Sequence, residues 1–125
     1  MSVTHTIRPS VASSAGGAVS GSYTETGTTE TSIDQAYPAA STNVLQACAF
    51  TISGLQSIIL LSSQDMTIKT NSSGAPANTI ALKAGVPLVW SITPGNFANP
   101  STVNVTAFYV TCVNAATLKA KILVA

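Results

Sequence analysis

Apolar and polar residues alternate in short runs along most of the chain. Cys48, Phe50 and Ile52 alternate with Ala47, Ala49 and Thr51, and this period of two predicts a strand. Ser53-Gly54 supplies a turn, and Leu55–Leu61 then carries the continuous apolar run Ile58-Ile59-Leu60-Leu61. A run of that length and branching predicts a central strand covered on both faces. Ser62-Ser63-Gln64-Asp65 is a turn, after which Met66 and Ile68 point one way and Thr67 and Lys69 the other. Asn71–Asn78 is the clearest loop, dense in turn formers. Ile80 and Leu82 form the next alternation, and Gly85 and Pro87 break it before Leu88-Val89-Trp90. Two further loop signals, Thr93–Asn96 and Asn99–Ser101, flank Phe97, a candidate anchor beneath them.

Towards the end, Val103, Val105 and Ala107 share one face, and the apolar phase then flips to Phe108, Val110 and Cys112. A flip of that kind predicts a β-bulge or burial on both sides. Leu118, Ala120, Ile122 and Val124 point inward while Lys119 and Lys121 point out, which ties the C-terminus into a sheet. Near the start, Ser20–Thr26 and Thr28–Ile33 lie either side of Gly27 and predict an exposed, Thr-rich hairpin. Glu25 and Glu30 would then face each other on a solvated surface. No stretch keeps a helical period over two turns. About eight short strands separated by Gly, Pro, Asn and Ser turns predict an all-β, single-domain antiparallel β-sandwich over residues 21–125. A jelly roll is one specific wiring of that class. Residues 1–20 run from the short alternation Val3–Ile7 into a Pro-, Ser-, Ala- and Gly-rich stretch and predict an N-terminal arm.

Composition changes this picture in one respect. Charged residues are only 7% of the 125, against about a quarter in ordinary globular chains. Ser and Thr take their place, so the surface is nearly neutral and repels copies of itself weakly, which favours assembly. The basic residues Arg8, Lys69, Lys83, Lys119 and Lys121 are scattered and form no stripe of the kind nucleic acid requires. No apolar run is long enough to span a membrane, and Met1–Arg8 lacks the pattern of a signal peptide. Cys48 and Cys112 match no metal or redox spacing and are expected as buried, reduced thiols, with a disulfide between sheets as the alternative.

Little catalytic chemistry is legible. The single histidine, His5, lies near an end expected to be mobile. Activation of a nucleophile needs a base beside it and a group to orient the base. No metal-ligand cluster and no phosphate-binding glycine loop is present in the pattern, so no enzyme, metal or cofactor is expected. Asn71-Ser72-Ser73 and Asn104-Val105-Thr106 match the glycosylation tripeptide by chance in a Ser/Thr-rich chain. Trp90 is expected in the core; exposed, it could stack on a sugar.

One long segment carries a resemblance. It comprises the strand from Ser57, Asp65–Ser72, the loop, Leu82-Lys83-Ala84-Gly85 and Leu88-Val89-Trp90. It is similar to a recurring segment in small structural proteins of tailed bacteriophages. Val105–Val124 resembles that family's closing strand pair, so the likeness spans about half of the chain, while residues 1–40 lie outside it. The resemblance implies a β-sandwich of the virion, a capsid decoration or cement protein made in the host cytoplasm, with no catalytic residues to transfer. It implies two partners: further copies of itself, with a trimer favoured, and the major capsid protein. Val3, His5, Ile7, Arg8 and Val11 are then the candidate capsid-contact residues of the arm. The alternative is a tail- or fibre-associated carbohydrate-binding module, with Trp90, Asn71 and Asn96 at its ligand edge.

Overall fold

The structure, a computed structural model, describes residues 2–94 and 99–125; Asn96 and Phe97 lie outside the described residues. Four strands precede the sandwich: β1 (Val3–Ile7), β2 (Ser10–Ala12), β3 (Ala18–Ser20) and β4 (Tyr23–Gly27). Eight build it: β5 (Thr29–Tyr37), β6 (Ser41–Gln46), β7 (Leu55–Ser62), β8 (Met66–Thr70), β9 (Thr79–Leu82), β10 (Leu88–Ser91), β11 (Phe108–Cys112) and β12 (Ala116–Val124). A single 3-10 turn, Ile52–Gly54, is the only helical element among the described residues.

The fold is all-β and antiparallel, in two packed four-stranded layers. Sheet I has the order β10-β7-β12-β5 and sheet II the order β6-β11-β8-β9. Each connection from β5 onward crosses between the sheets except β8 to β9, which is closed by the expected Asn71–Asn78 loop. Alternation decides which side chains enter. Ile33 and Tyr37 of β5, Ile58 and Leu60 of β7, and Leu118, Ala120 and Ile122 of β12 meet Met66, Ile68, Ile80, Leu82, Phe108, Val110 and Cys112 from sheet II. Phe50 stands edge-on to Phe108, with centroids 6.5 Å apart. Each large apolar side chain fully buried there contributes about 1.5–3 kcal/mol.

Three strand expectations are corrected. Ser20–Ile33 is no hairpin: β4 pairs with β1, and β5 pairs with β12. Only Thr28 separates β4 from β5, too little chain to reverse between paired neighbours. The chain instead steps from one layer to the next there, and the Thr28 amide bonds to the Val124 carbonyl at 2.9 Å. The strand expected across Ala47–Ile52 lies earlier, at Ser41–Gln46. Cys48 and Phe50 do point inward, but only Phe50 is bridged, to Val105. Val103–Ala107 is likewise irregular, so the flip at Phe108 marks the start of a strand, not a bulge within one.

The smaller sheets lie within residues 3–27. β1 and β4 form a ribbon, and β2 and β3 form a hairpin in which Val11 opposes Val19. The expected arm is therefore two pieces, one paired and one projecting. The ribbon's inner side carries Val3, His5, Ile7, Tyr23, Glu25 and Gly27, while Thr4, Thr6, Thr24 and Thr26 are exposed on its other side. It covers part of the outer face of sheet I, where Leu123 and Ser57 oppose each other and are both buried. Gly27 makes this possible, since an added Cβ would run into the Val124 carbonyl.

Cys48 and Cys112 are both buried and free, and burial pushes the Cys48 thiol up to about 12. Thiol titration should therefore find two reactive groups after denaturation without reductant, and near-complete protection in the native protein. A Gly27→Ala variant should lose about 1–3 kcal/mol of stability in urea denaturation, because backbone must move to admit the methyl group.

Candidate functional site

The ribbon brings together residues that are far apart in sequence. His5, at the centre of β1, points onto sheet I with its side chain only 15% exposed. Its Nε2 lies 2.6 Å from Glu30 Oε2, and its Nδ1 2.5 Å from Ser57 Oγ. A carboxylate only accepts, so Nε2 donates to Glu30, while Nδ1 shares the second hydrogen bond with the Ser57 hydroxyl. Glu30 also takes a hydrogen bond from Ser32 Oγ at 3.1 Å and an ion pair with Lys121 Nζ at 3.2 Å. Lys121 bonds Ser32 Oγ at 2.7 Å as well. The bond from His5, reinforced by Lys121 and Ser32 against partial burial, holds the Glu30 carboxyl below its ordinary value of 4.5.

The end expected to be mobile is thus pinned at His5. Nor is Glu25 on a solvated face: it is 5% exposed, and its Oε1 accepts the Thr93 amide at 3.0 Å. The ribbon brings down its own polar groups and needs partners for each, which sheet I and the Thr93 turn supply.

Hydroxyl, imidazole and carboxylate in series is the order that activates a nucleophile. Acyl transfer also needs donors free to meet a developing oxyanion. Ser57 stands at mid-strand, opposite Ser91 on one side and Leu123 on the other, so its amide lies inside the ladder. The residue is 3% exposed beneath the ribbon. The hydrogen bonds from His5 fasten β1 to β7 and β5 as a strut.

A cleft of about 630 Å³ opens beside the strut. One side is the continuous stretch Thr4–Ser10; the other is built from sheet I, with Ile59, Pro87 and Val89 as its apolar part and Ser57, Glu30 and Lys121 at its polar end. Arg8 stands exposed among the lining residues. A smaller hollow of about 230 Å³ continues past Ile7 and Pro9 to Tyr23, Trp90 and Pro94. There the Tyr23 hydroxyl is hydrogen-bonded to Ser91 Oγ.

The five arm residues divide between two environments. Val3, His5 and Ile7 face inward and are half-buried, whereas Arg8 and Val11 are exposed. Beyond Pro9 the chain forms the β2–β3 hairpin, every residue of which is exposed. Its turn is held by Gly16 N to Ser13 O and Ser13 N to Gly17 O, with Gly16 and Gly17 at positive φ. Val11 and Val19 are 70% and 78% exposed.

The alternative ligand edge is dispersed. Trp90 is on β10 of sheet I and packs half-buried against the core. Asn71 follows β8 of sheet II, where its Nδ2 donates to the Asn104 carbonyl and its Oδ1 accepts from the Thr106 amide and hydroxyl. Asn96 lies outside the described residues. Among the described residues no three His, Cys, Asp or Glu side chains come together to hold a metal ion. Sequence reasoning missed Ser57, Glu30 and Lys121 as partners of His5. The inward alternation of Val3, His5 and Ile7 was the one available signal. Comparison with family models, with curated proteins and with solved structures finds no match for this chain.

Replacing His5 with Ala strands the buried Ser57 hydroxyl, and should cost about 1–3 kcal/mol in urea denaturation. Glu30 adds a pH signature. Because its folded pKa lies below 4.5, its contribution is fully present above that pH and is lost as pH falls through the folded value. The stability gap between the protein and its Glu30→Gln variant should be open at neutral pH and close steadily below about 4.5. A gap that stays constant down to acid pH would remove Glu30 from the strut.

Proposed function

We propose that the protein is a non-catalytic structural component of a bacteriophage virion, a capsid decoration or cement protein that works as an assembly of several copies. The observation that carries this reading is the β2–β3 hairpin. Residues 10–20 contain no charged side chain, bury nothing within their own chain and present two valines to solvent. An exposed apolar element without a task is a liability, and in a near-neutral protein it marks a surface used in assembly.

Two considerations support it. The resemblance of residues 57–90 and 105–124 to phage structural proteins falls on the later sandwich strands, not on the hairpin, and is independent of it. The strand order β5-β12-β7-β10 over β6-β11-β8-β9 supports a jelly-roll reading of the sandwich. Viral capsid domains use that architecture, as do lectins, so fold alone is an analogy. The carbohydrate-binding alternative loses its motivation once Asn71 is occupied by the 104–106 segment and Trp90 belongs to the other sheet.

The test is particle composition followed by excision. Mass spectrometry of purified capsids, separated from tails, should find the chain in many copies on the capsid. Removing residues 11–19, with β1 retained because His5 and the ribbon depend on it, should leave the sandwich folded and sharply reduce binding to undecorated capsids. Absence from the particle, or presence only on tails, would reject the decoration role.

A further inference from the structure

The proposed role leaves open what the hairpin touches. We propose that the β2–β3 hairpin of one copy seats in the cleft beside β1 of a neighbouring copy, with Val11 and Val19 against Ile59, Pro87 and Val89. The proposal rests on the assembly reading above and names the partner surface for it.

Four observations converge. First, the hairpin is one-sided. Val11 and Val19 are directly opposed across the strands and so share a face, while Ser10, Ser20, Ala12 and Ala18 fall on the other. A ligand of that shape presents a two-valine wedge and introduces no charge that would have to be stripped of water. Second, the cleft has an apolar part left open by the described residues: Val89 is 48% exposed, and Ile59 and Pro87 lie beside it.

Third, both elements have backbone to offer. β1 has a single neighbour, β4, and Thr4–Ser10 runs along the cleft. Among the described residues β2 and β3 pair only with each other, so each also keeps a free edge. Strand addition joins such edges through main-chain hydrogen bonds, and side chains that alternate into pockets give it specificity.

Fourth, a chain does not fill its own cleft. Pro9 and Ser10 line the cleft, but no residue of the hairpin beyond Ser10 does. The base of the hairpin is closed by the Gly21 amide on the Pro9 carbonyl at 3.1 Å, and its turn by the bonds of Gly16 and Ser13. Beyond Ser10 the element is a formed unit that takes no part in the cleft lining. Among the described residues, every copy therefore carries one hairpin and one open cleft, two different surfaces. Contacts of that kind are all satisfied only when the copies close on themselves, as a reciprocal pair or a ring.

The experiment uses the full-length protein. Light scattering at micromolar concentration should report a closed oligomer for the parent. Val19→Asp on the hairpin and Val89→Asp on the cleft should each weaken association by about tenfold or more. Far-UV dichroism should remain unchanged, because both positions are exposed. A second measurement needs no loss of assembly. Val19→Cys protein mixed with Val89→Cys protein should form a disulfide-linked pair that neither forms alone, since the native thiols are buried.

A monomeric parent, an oligomer indifferent to both aspartates, or cross-linking of Val19→Cys protein with itself would each overturn the proposal. The two readings fail separately. If Val19→Asp abolishes binding to capsids but leaves the oligomer intact, the hairpin contacts the shell, and the neighbour-docking proposal is wrong while the structural role stands. If the oligomer responds as expected but the protein is absent from particles, the decoration role fails and the docking proposal stands.

Discussion

A sandwich sheet has two faces, and packing against its partner buries only one. In this protein the outer face of sheet I carries Leu123 in the same register row as Ser57, an apolar and a polar residue that both need covering. The β1–β4 ribbon provides the cover, and much else follows from it. Gly27 permits the close approach, and the Val124 carbonyl accepts the Thr28 amide just before β5. His5 and Glu25 are carried beneath the ribbon because they fall on the same side of it as Val3, Ile7 and Tyr23. Polar groups placed under a cover lose water, and each one left alone would cost more than its hydrogen bond returns. The partners Ser57, Glu30 and the Thr93 amide are thus requirements of the cover, and the bonds also fix where it lies.

The strut is built from groups whose separation in sequence hides it. His5 is 25 residues from Glu30 and 52 from Ser57. Alternation along Val3–Ile7 was enough to place His5 on one side of a strand, but which sheet that side would meet depends on long-range pairing. The expectation that Glu25 and Glu30 face each other failed for the same reason. A Gly flanked by Thr-rich runs reads as a turn, yet Gly27 is needed for its missing Cβ beside Val124.

The sandwich strands were legible where turn chemistry and period two agreed, as at Met66–Thr70, Thr79–Leu82 and Ala116–Val124. They were misplaced where alternation stood alone. Ala47–Ile52 and Val103–Ala107 bury Cys48, Phe50 and Val105 without forming a ladder, and the two segments share one bridge, Phe50 to Val105. Period two reports which side of an extended chain is buried; it does not report whether a neighbour is paired to it. The hairpin was hidden by the opposite deficiency. Ser10–Ser20 is almost all small residues, so no burial pattern marks it, and Gly16-Gly17 looked like low complexity although both residues adopt the positive φ that its turn needs.

Pre-organisation is what separates this hairpin from the loose arm that its composition suggests. A disordered segment loses conformational freedom when it docks, at roughly 1–2 kcal/mol per residue for the backbone alone. Residues 10–20 have met much of that cost within the monomer, through the β2–β3 ladder, the Gly16 and Ser13 turn bonds and the Gly21–Pro9 closure. Two valines are a small apolar contact, and for a floppy arm of this length ordering would outweigh them. On a formed hairpin the same two side chains can yield net affinity, and a closed assembly repeats the contact at every copy. The absence of charge on residues 10–20 acts in the same direction, since burying the hairpin strips no water from ions of its own.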